Sequence, residues 1–317
     1  MGYVISKIDT ITRLAPDDLL IVCTSFEERS LRFLSLLSPS YSCAHCAIID
    51  YGGVKGPARS QFYAGKTAVT LRNQLSPFCA SPPELLICSR LDPFSVVRQL
   101  HHIIHQLPKC DTITVDISSL TKQHQLLLLK FIYSKMFQGR MRVIYTSAGE
   151  YRPKELTDGV QEIVTIPSFE GRFDPRKRKA LLTFLGFERD RSLCAWNMIE
   201  PERTIPIIGY EPERDKWYAA ATNHNQSLLS QKGVDPPIKL PCYDPFKVWF
   251  NLSQLVKELS DQYNIYIVPL GTKPQVLGLF LLTSRDLANV RLVYPVPFRY
   301  TKYYGTRGVG QTYEYLI

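Results

Sequence analysis

The sequence contains no hydrophobic run of about 18 residues, the length that spans the apolar core of a bilayer as a helix. Its first residues, MGYVISKIDTITRL, also lack the apolar core and the cleavage site of a secretory signal peptide. We therefore expect no transmembrane segment, no signal peptide, no membrane partner and a cytoplasmic location.

Three glycine-containing motifs are absent as well. The sequence has no GxxxxGK[ST] phosphate loop, no GxGxxG after its first strand-like segment and no GxSxG turn. These absences argue against a P-loop NTPase, a dinucleotide-dependent enzyme and an α/β-hydrolase. We expect no cofactor.

Cysteine and histidine are present, but not in the patterns of a metal site or a disulfide framework. The eight cysteines are scattered, and several lie in apolar segments such as LIVCTS and LLICS, which is typical of reduced, buried thiols in a cytosolic protein. CAHC, at Cys43–Cys46, is the only CxxC, and no second ligand pair follows at zinc spacing. His101 and His105 share a helical spacing without a carboxylate between them. We expect no metal at either place.

What remains is ordinary globular material with a basic balance. The chain has 317 residues, of which 45% are hydrophobic and 21% charged, and a net charge of +9. The length predicts two domains. The positive charge favours nucleic acid or a phosphorylated ligand as a partner, although a generally basic surface explains it equally well.

The sequence is internally duplicated, and this repeat predicts the architecture. Five segments correspond in the same order: LLIVCTSFEERSLRFLSLLSPS with LLTFLGFERDRSLCAWNMIEPE, CAIIDYGG with IPIIGYEP, LDPFSVVRQLHHIIHQL with YDPFKVWFNLSQLVKEL, DTITVDISSLTK with YNIYIVPLGTK, and RVIYTSAGEY with RLVYPVPFRY.

Each half alternates strands and helices, and its strands are apolar on both faces, as in a parallel sheet covered by helices. Asp92-Pro93 and Asp244-Pro245 place an N-cap and a first helical proline at equivalent helix starts. We predict an α/β fold of two duplicated Rossmann-like domains with mostly parallel sheets, at 1–155 and 176–317, joined by a linker at 156–175. The apolar helices LLLLKF and LGLFLL should lie inside, and the halves should form a pseudo-dimer.

In open parallel sheets, ligands bind beyond the carboxyl ends of the strands, near the point where the strand order reverses. TVDISSLTKQ and VPLGTKPQ fall there, and each places Thr-Lys before a Leu-rich helix, so that a turn offers N–H groups and a cation to an anion. The candidate ligand-binding residues, taken from the repeated turns, are Ser25, Arg29, Ser118, Ser119, Thr121, Lys122, Gly186, Arg191, Gly271, Thr272, Lys273 and Gln275.

Two carboxylates are candidate catalytic residues. Glu28 either acts in catalysis, pairs with Arg29 or caps a helix. Asp116 has no acidic counterpart in the second half, so it is either a catalytic group or a buried partner of a nearby serine or lysine. Whether the chain is an enzyme stays open.

The GTK turn resembles the late motif of CRISPR-associated Rossmann-fold (CARF) sensor domains, and two such halves in one chain are similar to the SAVED sensors of prokaryotic antiviral systems. The resemblance implies a cyclic oligonucleotide ligand, contacted by the early serine-bearing turn and by the GTK-like turn. It also implies either a sensor that acts on a separate effector chain or an enzyme that degrades the signal.

Three functions follow. The first is a cytosolic nucleotide-sensing or nucleic-acid-associated module of a bacterial defence system, in which phosphates meet Lys122 and Lys273 between the two halves. The second is a nucleotide- or nucleoside-processing enzyme that uses a carboxylate of the first half, and the third is a non-catalytic scaffold subunit of a defence complex.

Overall fold

A computed structural model describes residues 4–8, 16–51, 58–107, 110–136, 139–151, 157–212, 215–286, 288–300 and 306–317. The chain divides into two compact units. The first unit comprises Met1–Tyr151 and Thr306–Ile317, and the second comprises Arg152–Gly305. The chain therefore leaves the first unit once and returns to it for its last strand.

The described strands follow one another in the chain as β1 (Val4–Ile8), β2 (Asp17–Cys23), β3 (Cys43–Asp50), β4 (Glu84–Ile87), β5 (Thr112–Asp116), β6 (Arg140–Tyr151), β7 (Thr157–Asp158), β8 (Glu162–Thr165), β9 (Arg178–Leu185), β10 (Arg203–Tyr210), β11 (Ile238–Pro241), β12 (Tyr263–Pro269), β13 (Val290–Val296), β14 (Arg299–Tyr300) and β15 (Thr306–Leu316).

The α-helices are α1 (Ala58–Leu75), α2 (Phe94–Gln106), α3 (Lys122–Met136), α4 (Arg189–Ile199), α5 (Asp215–His224), α6 (Gln226–Leu229), α7 (Pro245–Leu259) and α8 (Lys273–Arg285). Two segments are 3-10 helices instead, Glu28–Leu36 and Ser76–Phe78. None of the described helices is long and apolar enough to cross a membrane.

Both units are Rossmann-like. The first sheet has the order β1-β15-β6-β5-β2-β3-β4, and the second has the order β11-β10-β9-β12-β13-β8. Within them, the strands β4-β3-β2-β5-β6 and β11-β10-β9-β12-β13 are parallel. When these five parallel strands are numbered along the chain, both sheets have the order 3-2-1-4-5. The predicted α/β fold class with mostly parallel sheets is confirmed. The pseudo-dimer and the duplication as an evolutionary event stay predictions.

The central strands are buried because their apolar residues face helices on both sides. Leu19 to Val22 have no exposed surface, and Leu182 of β9 is equally buried between Ile205 of β10 and Ile267 of β12. The apolar helices are buried as expected: every residue of α8 from Pro274 to Thr283 is buried.

The predicted helix starts are confirmed in one unit and shifted by a residue in the other. The Asp244 carboxylate accepts hydrogen bonds from the N–H groups of Phe246 (3.1 Å) and Lys247 (2.9 Å), and α7 begins at Pro245. In the first unit, α2 begins only at Phe94, whose N–H donates to Asp92 at 3.1 Å. The Asp-Pro signal thus marks a helix start in each unit.

The compact units differ from the predicted domain boundaries in two places. β15, predicted in the second domain, pairs antiparallel with both β6 and β1 of the first unit. There it satisfies the backbone groups that β6 would otherwise expose at a sheet edge, and it buries Tyr315. β8, predicted as part of the linker, pairs antiparallel with β13.

Candidate functional site

The strand order reverses at one position in each unit. In the first unit this switch point lies between β2 and β5, and in the second between β9 and β12. The predicted ligand-binding residues follow the carboxyl ends of these four strands. This edge of an open parallel sheet is where ligands bind in Rossmann-like folds.

The GTK turn of the second unit is built by a capping box. The Thr272 N–H donates to Gln275 Oε1 at 2.8 Å, and the Gln275 N–H donates to Thr272 Oγ1 at 3.3 Å. Gly271 leaves room for this bond, because a Cβ at this position would lie 2.2 Å from Gln275 Oε1 and would displace the glutamine side chain. The Thr272 hydroxyl also donates to the Cys242 carbonyl at 2.6 Å. Thr272 and Gln275 therefore shape the turn and place Lys273, which is half-buried, at the first position of α8.

In the first unit, the corresponding turn uses a histidine. His124 occupies the third position of α3, like Gln275 in α8, and its Nε2 lies 3.0 Å from the Ser89 carbonyl. Burial lowers the pKa of His124 to about 4, so the ring is neutral at pH 7. Since a carbonyl only accepts, Nε2 carries the proton, and Nδ1 accepts from the Thr121 hydroxyl at 2.5 Å.

The two turns thus share a structural device. Gln275 reaches the carbonyls of Leu240 and Pro241 in β11, at 3.4 and 3.2 Å, just as His124 reaches Ser89 beyond β4. In both units, the side chain at the third position of the helix (α3 or α8) links two segments by hydrogen bonds. It joins the turn after the fourth parallel strand (β5 or β12) to the segment at the third parallel strand (β4 or β11). Lys122 and Lys273 both begin their helices, and both are half-buried.

The serine-bearing turn of the first unit is largely occupied by internal hydrogen bonds. Asp116 is buried and accepts from the Ser118 N–H at 2.8 Å, while the Ser118 hydroxyl accepts from the Thr146 N–H at 2.8 Å. This geometry fits the interpretation of Asp116 as a buried partner of a serine. The Ser119 hydroxyl is buried and has no hydrogen-bond partner among the described residues.

The first turn of the first unit is held by an ion pair between the buried Arg29 and the half-buried Glu27. Arg29 donates to Glu27 Oε2 through Nε (3.0 Å) and Nη2 (2.8 Å), and its Nη1 donates to the Thr146 carbonyl at 3.2 Å. The Thr306 hydroxyl donates to the other Glu27 oxygen at 2.7 Å. Ser25 accepts from the Glu27 N–H at 3.2 Å. By contrast, Glu28 points to solvent and is exposed.

The second unit repeats this arrangement. Arg191 donates to the Pro295 carbonyl through Nε (2.9 Å) and Nη2 (2.6 Å), and its Nη1 lies 3.4 Å from Glu188 Oε2. The Thr157 hydroxyl donates to the same Glu188 oxygen. Each arginine also lies over a tyrosine ring of the fifth parallel strand, Arg29 over Tyr145 and Arg191 over Tyr294.

Arg29 and Arg191 are only 6% and 3% exposed. Their hydrogen bonds attach the first turn of each unit to the fifth parallel strand, which is β6 or β13. Gly186, in contrast, leaves room: a Cβ there would meet only the Leu270 carbonyl, at 3.5 Å. This distance also shows that the first and fourth turns of the second unit lie side by side. The ligand contacts of all these residues stay predictions.

The tyrosines that end or follow the second strand differ in exposure. Tyr51 is buried, lies beneath Arg90 (5.2 Å from its ring centre) and accepts the Thr121 N–H at 3.3 Å. Tyr210 is half-buried, and the carboxylate of Asp215 raises the pKa of its hydroxyl. The same sheet edge is therefore closed at this point in the first unit and more open in the second.

No group of three or more metal-binding side chains is assembled within the described ranges. His101 and His105 lie on the exposed face of α2 with their Nε2 atoms 2.9 Å apart. All eight cysteines are free thiols, and the Sγ atoms of Cys43 and Cys79 lie 3.3 Å apart.

No protein-family model and no curated protein matches the chain. Among solved structures, the chain is similar to a type III CRISPR defence DNA nuclease activated by cyclic oligoadenylate, with a TM-score of 0.51 and 11% sequence identity, covering 88% of this chain and 65% of that chain. It is also matched to a functionally unknown protein from Pseudomonas aeruginosa PAO1, with a TM-score of 0.27 and 11% identity, covering 89% of this chain and 93% of that chain. The second score is too low to support an argument.

The first of these likenesses is one of fold. This chain spans less than two thirds of the nuclease, and the two sequences are 11% identical. This likeness shows a shared fold, and the CARF-like assignment stays a prediction. The SAVED-like assignment stays a prediction.

Sequence reasoning missed two threonines that help to hold the first turns. Thr306 donates to Glu27 and Thr157 donates to Glu188, and these pairs meet only in the folded chain, since Thr306 is far from Glu27 in sequence. The role of His124 had a readable signal: a polar residue three positions after a threonine N-cap is the pattern of a capping box.

Proposed function

We propose that the chain is a nucleotide-binding module of a bacterial antiviral defence system, with a cyclic oligonucleotide as its ligand. The observation that carries this proposal is a lysine at the same place in each unit. Lys122 begins α3 and Lys273 begins α8, and both helices follow the fourth parallel strand at the switch point.

The physical reason is that two sources of positive potential meet at each turn. The amino end of a helix carries a partial positive charge, and lysine adds a full charge. The ligand's phosphates would contact these turns, with Gly186 and Gly271 allowing the backbone to approach.

The structural neighbour supports the choice of ligand class. That protein is a defence nuclease activated by cyclic oligoadenylate. We extend the same class of ligand to this chain, together with action on a separate effector protein.

The test measures binding of cyclic oligoadenylates of several ring sizes, and of linear oligoadenylates, by calorimetry. Lys122→Ala and Lys273→Ala should each weaken binding by about tenfold or more, the equivalent of one charge-assisted hydrogen bond. The matched control is Lys257→Ala, an exposed lysine on α7, which should leave binding unchanged. All three variants should melt within a few degrees of the wild type without ligand.

Three outcomes would contradict the proposal. Absence of binding by any oligonucleotide would remove the phosphate role of the turns, and unchanged affinity in both lysine variants would move the site elsewhere. A large loss of stability in Lys273→Ala would show that this lysine is structural. Analysis of the incubated ligand for cleavage products separates a sensor from a signal-degrading enzyme.

A further inference from the structure

Three side chains form a compact group at the carboxyl edge of the second sheet. Tyr210 ends β10, Tyr218 lies on α5, and their rings meet edge to face with centroids 6.4 Å apart. Lys239 of β11 places its ammonium 4.5 Å from the Tyr210 ring centre and 4.4 Å from that of Tyr218. Both tyrosines are half-buried and the lysine is exposed, so the group is open to solvent.

This group lies beside the GTK turn of the same unit. Gly209 precedes Tyr210, and a Cβ built on it would be 3.3 Å from Gln275 Nε2, the side chain that forms the capping box with Thr272. In the parallel register, Ile208 of β10 lies opposite Leu185 of β9, so Gly209 comes next to Gly186. A nucleotide with its phosphate on the Gly186–Lys273 side would carry its remaining parts towards Tyr210, because the sugar and base of a Rossmann-bound nucleotide extend past the end of the second strand.

The charge of the group restricts its ligand. Two tyrosine faces alone would suit an organic cation, but Lys239 already places a positive charge against both rings and repels a second one. The carboxylate of Asp215 lies at the Tyr210 hydroxyl, on the edge of the ring rather than its face. A flat, uncharged aromatic group attached to an anion suits it better, since the ring stacks on tyrosine while the ammonium attracts the anion.

We propose that Tyr210, Tyr218 and Lys239 form a nucleobase-stacking site that receives a base of the bound nucleotide. The inference rests on the proposed nucleotide-binding function and adds the residues that recognise the base. It also makes the two units unequal, because the corresponding Tyr51 is 5% exposed and uses its hydroxyl to accept the Thr121 N–H. Only the second unit would stack a base at this position.

The experiment uses the full chain and three small probes: adenosine monophosphate, ribose phosphate and adenosine. Calorimetry gives their affinities, and the fluorescence of a 2-aminopurine nucleotide, which is quenched when its base stacks, reports the base directly. The variants are Tyr210→Leu, which removes the ring, and Tyr210→Phe, which keeps it. Tyr263→Leu is the matched control, since Tyr263 pairs with Arg178 (4.6 Å) at the opposite end of the same sheet.

Adenosine monophosphate should bind about tenfold more tightly than ribose phosphate, as expected for one stacked base. Tyr210→Leu should abolish this difference and the quenching, and leave ribose phosphate binding unchanged. Tyr210→Phe and Tyr263→Leu should behave like the wild type. Circular dichroism of each variant confirms that it is folded.

The outcomes separate this inference from the proposed function. If the preference for the base persists in Tyr210→Leu, the stacking site is overturned while nucleotide binding stands. If adenosine is bound and quenched through Tyr210 but ribose phosphate never binds, the stacking site stands and the phosphate role of the turns falls. If none of these probes binds while a cyclic oligoadenylate does, the stacking site is overturned and the proposed function stands; if the cyclic oligoadenylates fail to bind as well, both are overturned.

Discussion

Arg191→Leu is predicted to destabilise the second unit strongly. The change removes two hydrogen bonds to the Pro295 carbonyl and the contact with Glu188. The Glu188 carboxylate, which is 6% exposed, then loses its arginine and keeps the hydrogen bond from the Thr157 hydroxyl. The side chain of leucine fills most of the apolar volume of arginine, so the loss is one of polar contacts rather than of packing.

The expected loss of unfolding free energy follows from the Glu188 carboxylate that stays in place. Removing one partner of a buried ion pair costs about 3–5 kcal/mol, because the other charge stays buried without compensation. The stacking of Arg191 over Tyr294, 4.9 Å from the ring centre, adds about 1 kcal/mol. Adding Glu188→Gln to the variant removes the charge that has lost Arg191, and the double variant should therefore recover about 1–3 kcal/mol.

The assay is denaturant unfolding followed by circular dichroism, with hydrogen exchange by mass spectrometry to assign the loss to residues 157–212 and 215–300. A loss of under about 1 kcal/mol in Arg191→Leu, well below the range for a broken buried pair, would refute the reasoning. So would a double variant that is no more stable than the single one, since the cost would then not come from a buried Glu188 charge that has lost Arg191.

Two further predictions concern the turns. Gly271→Ala should lower the unfolding free energy by about 1–3 kcal/mol, because the new Cβ would collide with Gln275 Oε1 and break the capping box. Gly186→Ala, whose new Cβ would have its nearest atom at 3.5 Å, should change the unfolding free energy by under about 0.5 kcal/mol. Equal losses in the two variants, measured by denaturant unfolding, would contradict this reasoning. The pKa of His124 is lowered to about 4 in the folded chain, so on acidification this imidazole is protonated in the unfolded chain before it is protonated in the folded one. The free energy of unfolding should therefore fall by up to about 3 kcal/mol as the pH drops from about 6.5 to about 4. In His124→Gln, which keeps a polar side chain at the third helical position, this slope should shrink, and an unchanged slope in urea titrations would assign it to other groups.

Much of the fold could be predicted from local sequence. The strands of both units are apolar on both faces, and Asp244-Pro245 begins α7 as predicted, because a capping carboxylate and a proline act on neighbouring backbone groups. Such signals act between neighbouring residues, so they can be read without knowing how the helix or strand packs in the fold.

The position of β15 could not be read in the same way. Its sequence, TRGVGQTYEYL, shows a strand but not its partner, and strand pairing across such a distance in the chain depends on which sheet has an open edge. The 3-10 helix at Glu28–Leu36 is a second difference: its counterpart in the other unit, α4, is a regular α-helix.

Repetition in the sequence identified the candidate site, yet repetition alone does not separate fold from function. Arg29 and Arg191 recur because each first turn must be anchored to the fifth strand, and both are buried in that task. Lys122 and Lys273 recur as well, but they are half-buried and stand where a helix end attracts an anion. Solvent exposure therefore distinguishes the two pairs. By this criterion the lysines are within a ligand's reach and the arginines support the turns that present them, so replacing an arginine should cost stability first and replacing a lysine should cost affinity first.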